Sequence, residues 1–178
     1  NDQWLVNPNA YFTMQAKSKQ VNIGMNAHYN LSGDGEQILI AGLYYRSFFQ
    51  ITVCNDFIRQ SNDSKISERG FTGNDAAEIK KYKAEARFLR AYQYWVLMDL
   101  FASPPFVDEN APIATGLPKQ ISREELFTYI ESELKAIETV LPQDRTIAYY
   151  GRVTKGAAQA LLARLYLNAN VYTGTAKN

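Results

Sequence analysis

Few residues in this sequence are equipped for chemistry. There is one histidine, His28, and one cysteine, Cys54. A single imidazole excludes paired-histidine metal motifs, and a single thiol excludes a disulfide framework or a multi-cysteine metal site. Carboxylates are more plentiful, and two close pairs stand out: Glu124-Glu125 and Glu131/Glu133. Glycoside hydrolysis needs two carboxyls facing each other across a cleft, one of them kept protonated. Glu124 and Glu125 instead fall in the first turn of a helix, where negative charge suits the dipole. Glu131 and Glu133 are expected on a solvated helix face. No G-x-S-x-G elbow occurs. Gly151-Arg152-Val153-Thr154-Lys155-Gly156 lacks the spacing of a phosphate loop and follows no strand. It reads as a helix start, with Thr154 as the cap and Gly156 allowing close packing.

Recognition chemistry is better represented. Asn26, His28, Tyr29 and Asn30 make a polar aromatic patch, with Trp4, Tyr11 and Phe12 upstream. Aromatic rings offer a flat apolar face, and Asn amides carry a donor and an acceptor together. That pairing suits sugars, which have a C–H face and a rim of hydroxyls. The other reading is a set of loop residues packing down on helices. Asn26, His28, Tyr29, Asn30 and Trp4 are the candidate ligand contacts. A second group is charged: Glu85, Arg87 and Arg90 interrupt an apolar helix, and Arg152 and Arg164 lie further on. The group reads either as an anion site or as a structural motif paired with charges on adjacent helices, such as Arg164 or Glu131, because buried charges are usually partnered. Cys54 lies on an apolar helix face and reads as a small buried hydrophobe.

The elements that must hold these residues are helical. The 178 residues are 46 % hydrophobic and 21 % charged, with Lys+Arg 19 against Asp+Glu 18. That balance argues against a nucleic-acid partner. Tyr 12 and Phe 9 bring the aromatic share to 13 %. No apolar run is long enough to span a bilayer. Residues 1–38 are rich in Asn, Gly and Ser and read as an irregular segment, with room for a short strand around Val21 to Met25. Apolar spacing predicts a helix from about Ile38 to Asn62, stopped by Ser61-Asn62-Asp63-Ser64. A polar loop follows. The next helix opens near Asn74 or Asp75, with Asp75 and Glu78 as a capping box. It runs to about Phe101, apolar on nearly every side, and Pro104-Pro105 ends it. Ser122-Arg123-Glu124-Glu125 is a full capping box before the stripe Leu126, Ile130, Leu134, Ile137, Leu141. Pro142 stops that helix. An Ala/Leu-rich helix starts near Thr154, and Gly174 breaks it.

The predicted fold is all-α: tetratricopeptide-like helix pairs in an α-α superhelix, with long loops and an irregular N-terminal segment. The whole chain, 1–178, reads as one domain. Residues 39–101 form a first helix pair, 102–121 a connector and 122–172 a second pair. Equivalent helices start about 80 residues apart, against about 34 in a tetratricopeptide unit, so each pair must carry an inserted loop.

Several strings in order resemble one family. They are Tyr45-Arg46-Ser47-Phe48-Phe49-Gln50-Ile51 with Asn55-Asp56-Phe57-Ile58, Ala84 to Ala91 with Tyr92, Tyr94 and Leu97, Leu100-Phe101 with Pro104-Pro105-Phe106, Ile121 to Glu125, Leu134 with Leu141-Pro142, and Gly151-Arg152 through Leu167. Together they resemble the SusD/RagB family of outer-membrane nutrient-binding lipoproteins, over about residues 40 to 172. The resemblance implies a non-catalytic protein without a cofactor, lipid-anchored on the outer surface of a Gram-negative cell. It implies an oligosaccharide, or in some members a peptide, as ligand, and a TonB-dependent (SusC-like) outer-membrane transporter as partner. It also places a sugar-contacting loop shortly before the first helix pair, where Asn26 to Asn30 fall. The chain lacks the anchoring Cys of a lipoprotein signal and ends after the second helix pair, so a longer parent chain is expected. The alternative is a helical-repeat module that holds a protein or peptide on its concave face.

Overall fold

The computed structural model of the chain describes residues 34–112, 117–143, 146 and 149–174, with side chains from residue 40 onward. The strand expected at Val21 to Met25 and the irregular segment through residue 33 lie outside the described residues. Contacts divide the chain into residues 1–46 and 47–178. Among the described residues all regular elements are helices, as expected.

Helix α1, Asp34–Gln60, begins ahead of the expected Ile38. Its part in the first unit includes Tyr44 and Tyr45, whose rings meet edge to face at 6.0 Å. Within the second unit Ser47, Ile51, Cys54, Asn55 and Ile58 are buried, recurring at three and four residues on one face. The helix ends where the Ser61 N–H and hydroxyl both donate to the Phe57 carbonyl. Asn62 then caps the next helix: its side chain accepts from the Lys65 N–H at 2.9 Å. That opens a short helix, α2, Asp63–Glu68, inside the stretch read as loop. It closes at Gly70, φ 77°. There Gly70 N–H donates to Ser67 and Phe71 N–H to Ile66, the paired bonds of a Schellman ending, which needs the left-handed conformation glycine adopts freely.

Helix α3, Gly73–Phe101, is capped by Thr72 without a side-chain bond. The expected Asp75/Glu78 capping box is not its start; the Glu78 carboxylate instead meets Lys81 and Arg152. Ala84, Arg90, Ala91, Tyr94, Leu97 and Met98 are buried. Leu89, Tyr92 and Leu100 are exposed, so one face of this apolar helix lies open. Beyond it Ala102 has φ 61°, and Ser103 N–H donates to Phe101 over 2.7 Å in a tight γ-turn.

The connector returns antiparallel to itself. Phe106 N–H donates to Lys119 and Ile121 N–H to Pro104, around a bridge between Pro105 and Gln120. Helix α4, Arg123–Ile137, opens on the expected capping box, Ser122 and Glu125 each satisfying the other's backbone N–H. Its apolar stripe is buried, with Leu141 beyond it. Helix α5, Lys155–Leu167, has Thr154 at its cap position but no side-chain cap bond. A Cβ on Gly156 would meet only Thr154 Oγ1 at 3.7 Å, an ordinary contact, so close packing does not require glycine there. Asn168 separates α5 from a short α6, Ala169–Thr173, and Gly174 ends it in the left-handed conformation.

Side-chain bonds show the order of packing. Gln50 pairs with Gln93 and Asn55 with Arg90, so α1 and α3 run in opposite directions. Arg87 reaches Glu133 while Tyr94 packs on Tyr129, reversing direction again between α3 and α4. Glu131 meets Tyr166 and Glu138 meets Gln159, a third reversal. Consecutive antiparallel helices joined in pairs are the tetratricopeptide-like arrangement.

Candidate functional site

The candidate ligand contacts Asn26, His28, Tyr29, Asn30 and Trp4 lie outside the described residues. The charged group lies within them, and its centre is Arg90, 1 % exposed. The residue sits on the face of α3 that carries Ala91, Tyr94 and Leu97 into the interior. One Arg90 nitrogen donates to Asn55 Oδ1 of α1 at 2.7 Å and to the Glu109 carboxylate of the connector. The second terminal nitrogen donates to Glu133 Oε2 of α4 at 2.8 Å. Arg87, one turn earlier, closes on both Glu133 oxygens at 3.0 and 2.6 Å. Three helices and the connector are thus tied through one guanidinium. Planar, forked and permanently charged, arginine suits such a position where lysine would not.

Glu133 is therefore not on a solvated face. It falls in the buried stripe Leu126, Ile130, Leu134, Ile137 and is itself nearly buried. Burial alone pushes its carboxyl up, but hydrogen bonds and charge from Arg87 and Arg90 outweigh this and hold it below the ordinary carboxylate value. A carboxylate held ionised in this way is a poor general acid.

Two aromatic residues complete the cluster. The Tyr94 hydroxyl donates to the Val107 carbonyl at 2.7 Å and accepts from the Val107 N–H at 2.8 Å. Burial pushes the Tyr94 phenol up, and that of Tyr129 likewise. Tyr94, Phe106 and Tyr129 pack mutually, Phe106 and Tyr129 edge to face at 4.8 Å. Arg59 adds two bonds to the connector, to the carbonyls of Glu109 and Ala111. Together with Asn55 Nδ2 on the Val107 carbonyl, these make residues 106–111 a strap fixed to α1 and α3.

The remaining charged residues form smaller clusters. Glu85 pairs with Arg152 at 2.6 Å. The Arg152 guanidinium lies over Tyr82 at 4.6 Å and Tyr149 at 5.6 Å, pinning the α4–α5 loop to α3. Arg164 lies over Trp95 at 5.2 Å. Glu131 bonds Lys135 and Tyr166. The partners of Glu85, Arg87 and Arg90 are thus Arg152, Glu133 and Glu109, not Arg164 or Glu131. Among the described residues no cluster of three His, Cys, Asp or Glu is arranged to hold a metal, and no helix is long and apolar enough to cross a membrane.

The architecture defines an α-helical-repeat scaffold whose polar interior is closed by internal ion pairs. Comparison with known proteins narrows the class. Residues 5–167 match the SusD-like family described as starch-binding and associating with the outer membrane, and the chain belongs to that family. It is 40 % identical over 132 residues to the starch-binding protein SusD of Bacteroides thetaiotaomicron, covering 74 % of this chain and 21 % of that protein. A SusD-like carbohydrate-binding protein of Bacteroides fragilis superposes with a TM-score of 0.60 at 25 % identity, covering 74 % of this chain and 25 % of the other. Surface glycan-binding protein A of Bacteroides uniformis shares the fold, with a TM-score of 0.62 at 24 % identity over 73 % of this chain and 28 % of that one. The chain spans about a fifth of the length of the curated relatives it matches.

Proposed function

We propose that this chain is the helical platform of a non-catalytic surface protein that captures oligosaccharides at the outer membrane. The captured glycan passes to a TonB-dependent, SusC-like transporter, and a lipid anchor holds the protein at the cell surface. The observation that carries this reading is the 40 % identity to a starch-binding protein within a family described as starch-binding. The ion-pair network supports it: Arg87 and Arg90 both donate to Glu133, and Arg90 also to Glu109, so each carboxylate of that cluster is engaged by an arginine. On this reading helix pairs supply rigidity and loops supply contacts, aromatic rings lying on sugar faces and amides bridging hydroxyls. Asn26, His28, Tyr29, Asn30 and Trp4 are the proposed contacts.

The test is calorimetry on the full-length protein with linear α-glucan oligosaccharides and a wider glycan panel, followed by co-purification with the membrane transporter. Saccharide binding that weakens on Tyr29→Ala or Trp4→Ala is expected. Binding of peptides with no response to any saccharide overturns the reading in favour of a peptide-holding repeat module.

A further inference from the structure

A groove of about 250 Å³ opens where the end of α1, helix α2 and the start of α3 meet. It shares no lining residue with the Arg90 network. Phe57, Phe71 and Tyr82 line it, each about two-fifths exposed, and Ile66 lies buried at its wall. The Schellman ending of α2 sets this shape, because it brings Phe71 back against Ile66 across Gly70. The volume is below the roughly 300 Å³ of pockets for drug-sized ligands and suits a single ring.

Arg69 and Gln60 line the groove, and Lys65, just outside the lining, shares their acceptor. Lys65 Nζ and Arg69 Nη2 both donate to one neutral oxygen, Gln60 Oε1, at 3.1 and 2.9 Å. Arg69 Nη1 also donates to the Gln60 carbonyl at 3.0 Å. Among the described residues neither cation meets a carboxylate. The nearby acids are engaged elsewhere: Asp63 with Lys80, Asp56 with Arg59, and Glu68 with Ser64. The Ser64 hydroxyl does not neutralise Glu68, so the pair of cations exceeds the local acid by one charge, and an anionic ligand oxygen would meet their donors with stronger bonds than an amide can.

We propose that this groove is a subsite for a uronic-acid residue of an acidic oligosaccharide. The C–H face of the sugar rests on the Phe57, Phe71 and Tyr82 rings, and its carboxylate takes the Lys65 and Arg69 donors now shared by Gln60 Oε1. The assignment rests on the glycan-capture reading and adds to it a second site with a charge requirement.

The experiment titrates the ¹⁵N-labelled chain with trigalacturonate and, separately, with maltotriose. Trigalacturonate is expected to shift the amides of Gln60, Ile66 and Phe71. Its affinity should fall about tenfold in Arg69→Gln, the loss of one charge-assisted bond, and fall again as salt rises. Phe71→Ala should weaken it without touching the charge. Should Arg69→Gln lose its helical circular dichroism, Phe71→Ala and the wild-type shift map decide. Equal shifts from neutral maltotriose overturn the proposal, as do unchanged affinity in both variants or shifts produced only by an acidic aromatic peptide. If the full-length protein captures neutral glycans while trigalacturonate leaves the groove untouched, the subsite is wrong and the capture reading stands. If no neutral or acidic glycan binds the full-length protein at all, the capture reading itself fails.

Discussion

Arg90 and Glu133 meet at 2.8 Å across the α3–α4 interface, 43 positions apart in the chain, with the guanidinium 1 % exposed. With so little water within reach, each charge relies on partners inside the protein, Arg90 on Glu133, Glu109 and Asn55, and Glu133 on Arg90 and Arg87. Breaking a buried pair from one side costs about 3–5 kcal/mol, whereas replacing a whole pair with apolar groups costs far less. Glu133→Gln should therefore lower the unfolding free energy by about 3 kcal/mol in urea denaturation followed by circular dichroism. A loss below about 1 kcal/mol would mean the network is not what joins these helices.

The same carboxylate sets an acid limit. Its carboxyl lies below the ordinary value of 4.5 in the folded protein and returns to that value on unfolding. The stability it contributes is complete above the ordinary value and lost as pH falls through the folded one. Urea midpoints taken from about pH 6 down to about pH 3 should fall steeply in the wild type and more gently in Glu133→Gln. Parallel acid limbs in the two proteins would place the titration elsewhere.

Tyr94→Phe removes one oxygen but two bonds, because the hydroxyl both donates to and accepts from Val107. The Val107 carbonyl keeps Asn55 as a donor, so the stranded group is its N–H. The expected cost is about 2 kcal/mol. Hydrogen exchange at the Val107 amide should accelerate more than at amides of α4, which would locate the loss in the connector.

Gly70→Ala tests the Schellman ending of α2. No atom lies within 4 Å of where its Cβ would stand, so any cost is conformational, from φ 77°. About 1 kcal/mol is expected, read as a drop in thermal midpoint. A stabilised variant would show that α2 does not end in the left-handed turn.

Local signals were legible in the sequence, and distant ones were not. The Ser122–Glu125 box depends on residues a few positions apart and stands where expected, whereas the helix expected to run to Pro142 already ends at Ile137, leaving Leu141 beyond it. Helix α2 was hidden because one string serves twice: Ser61 closes α1 while Asn62 opens α2. Asp75 and Glu78 have capping-box spacing, yet Glu78 turns to Lys81 and Arg152, the latter brought close only by folding. Glu133 was readable in principle, since Ile130, Glu133 and Ile137 recur at three and four residues; its charge suggested solvent, and only the arginines of α3 explain its burial. Glu109, in a connector without periodicity, carried no signal of its own. For the sugar-facing part, the Asn26–Asn30 reading rests on residue chemistry and family position alone.

Cys54 lies beside this network on the inner face of α1, 5 % exposed, with burial pushing its thiol up despite nearby Arg90. It is the one thiol in the sequence. Its reaction with a maleimide must wait for α1 to lift from its neighbours. The protein thus carries an intrinsic clock for opening of the first hairpin, one whose ticking a bound ligand would slow and a severed Arg90 contact would quicken.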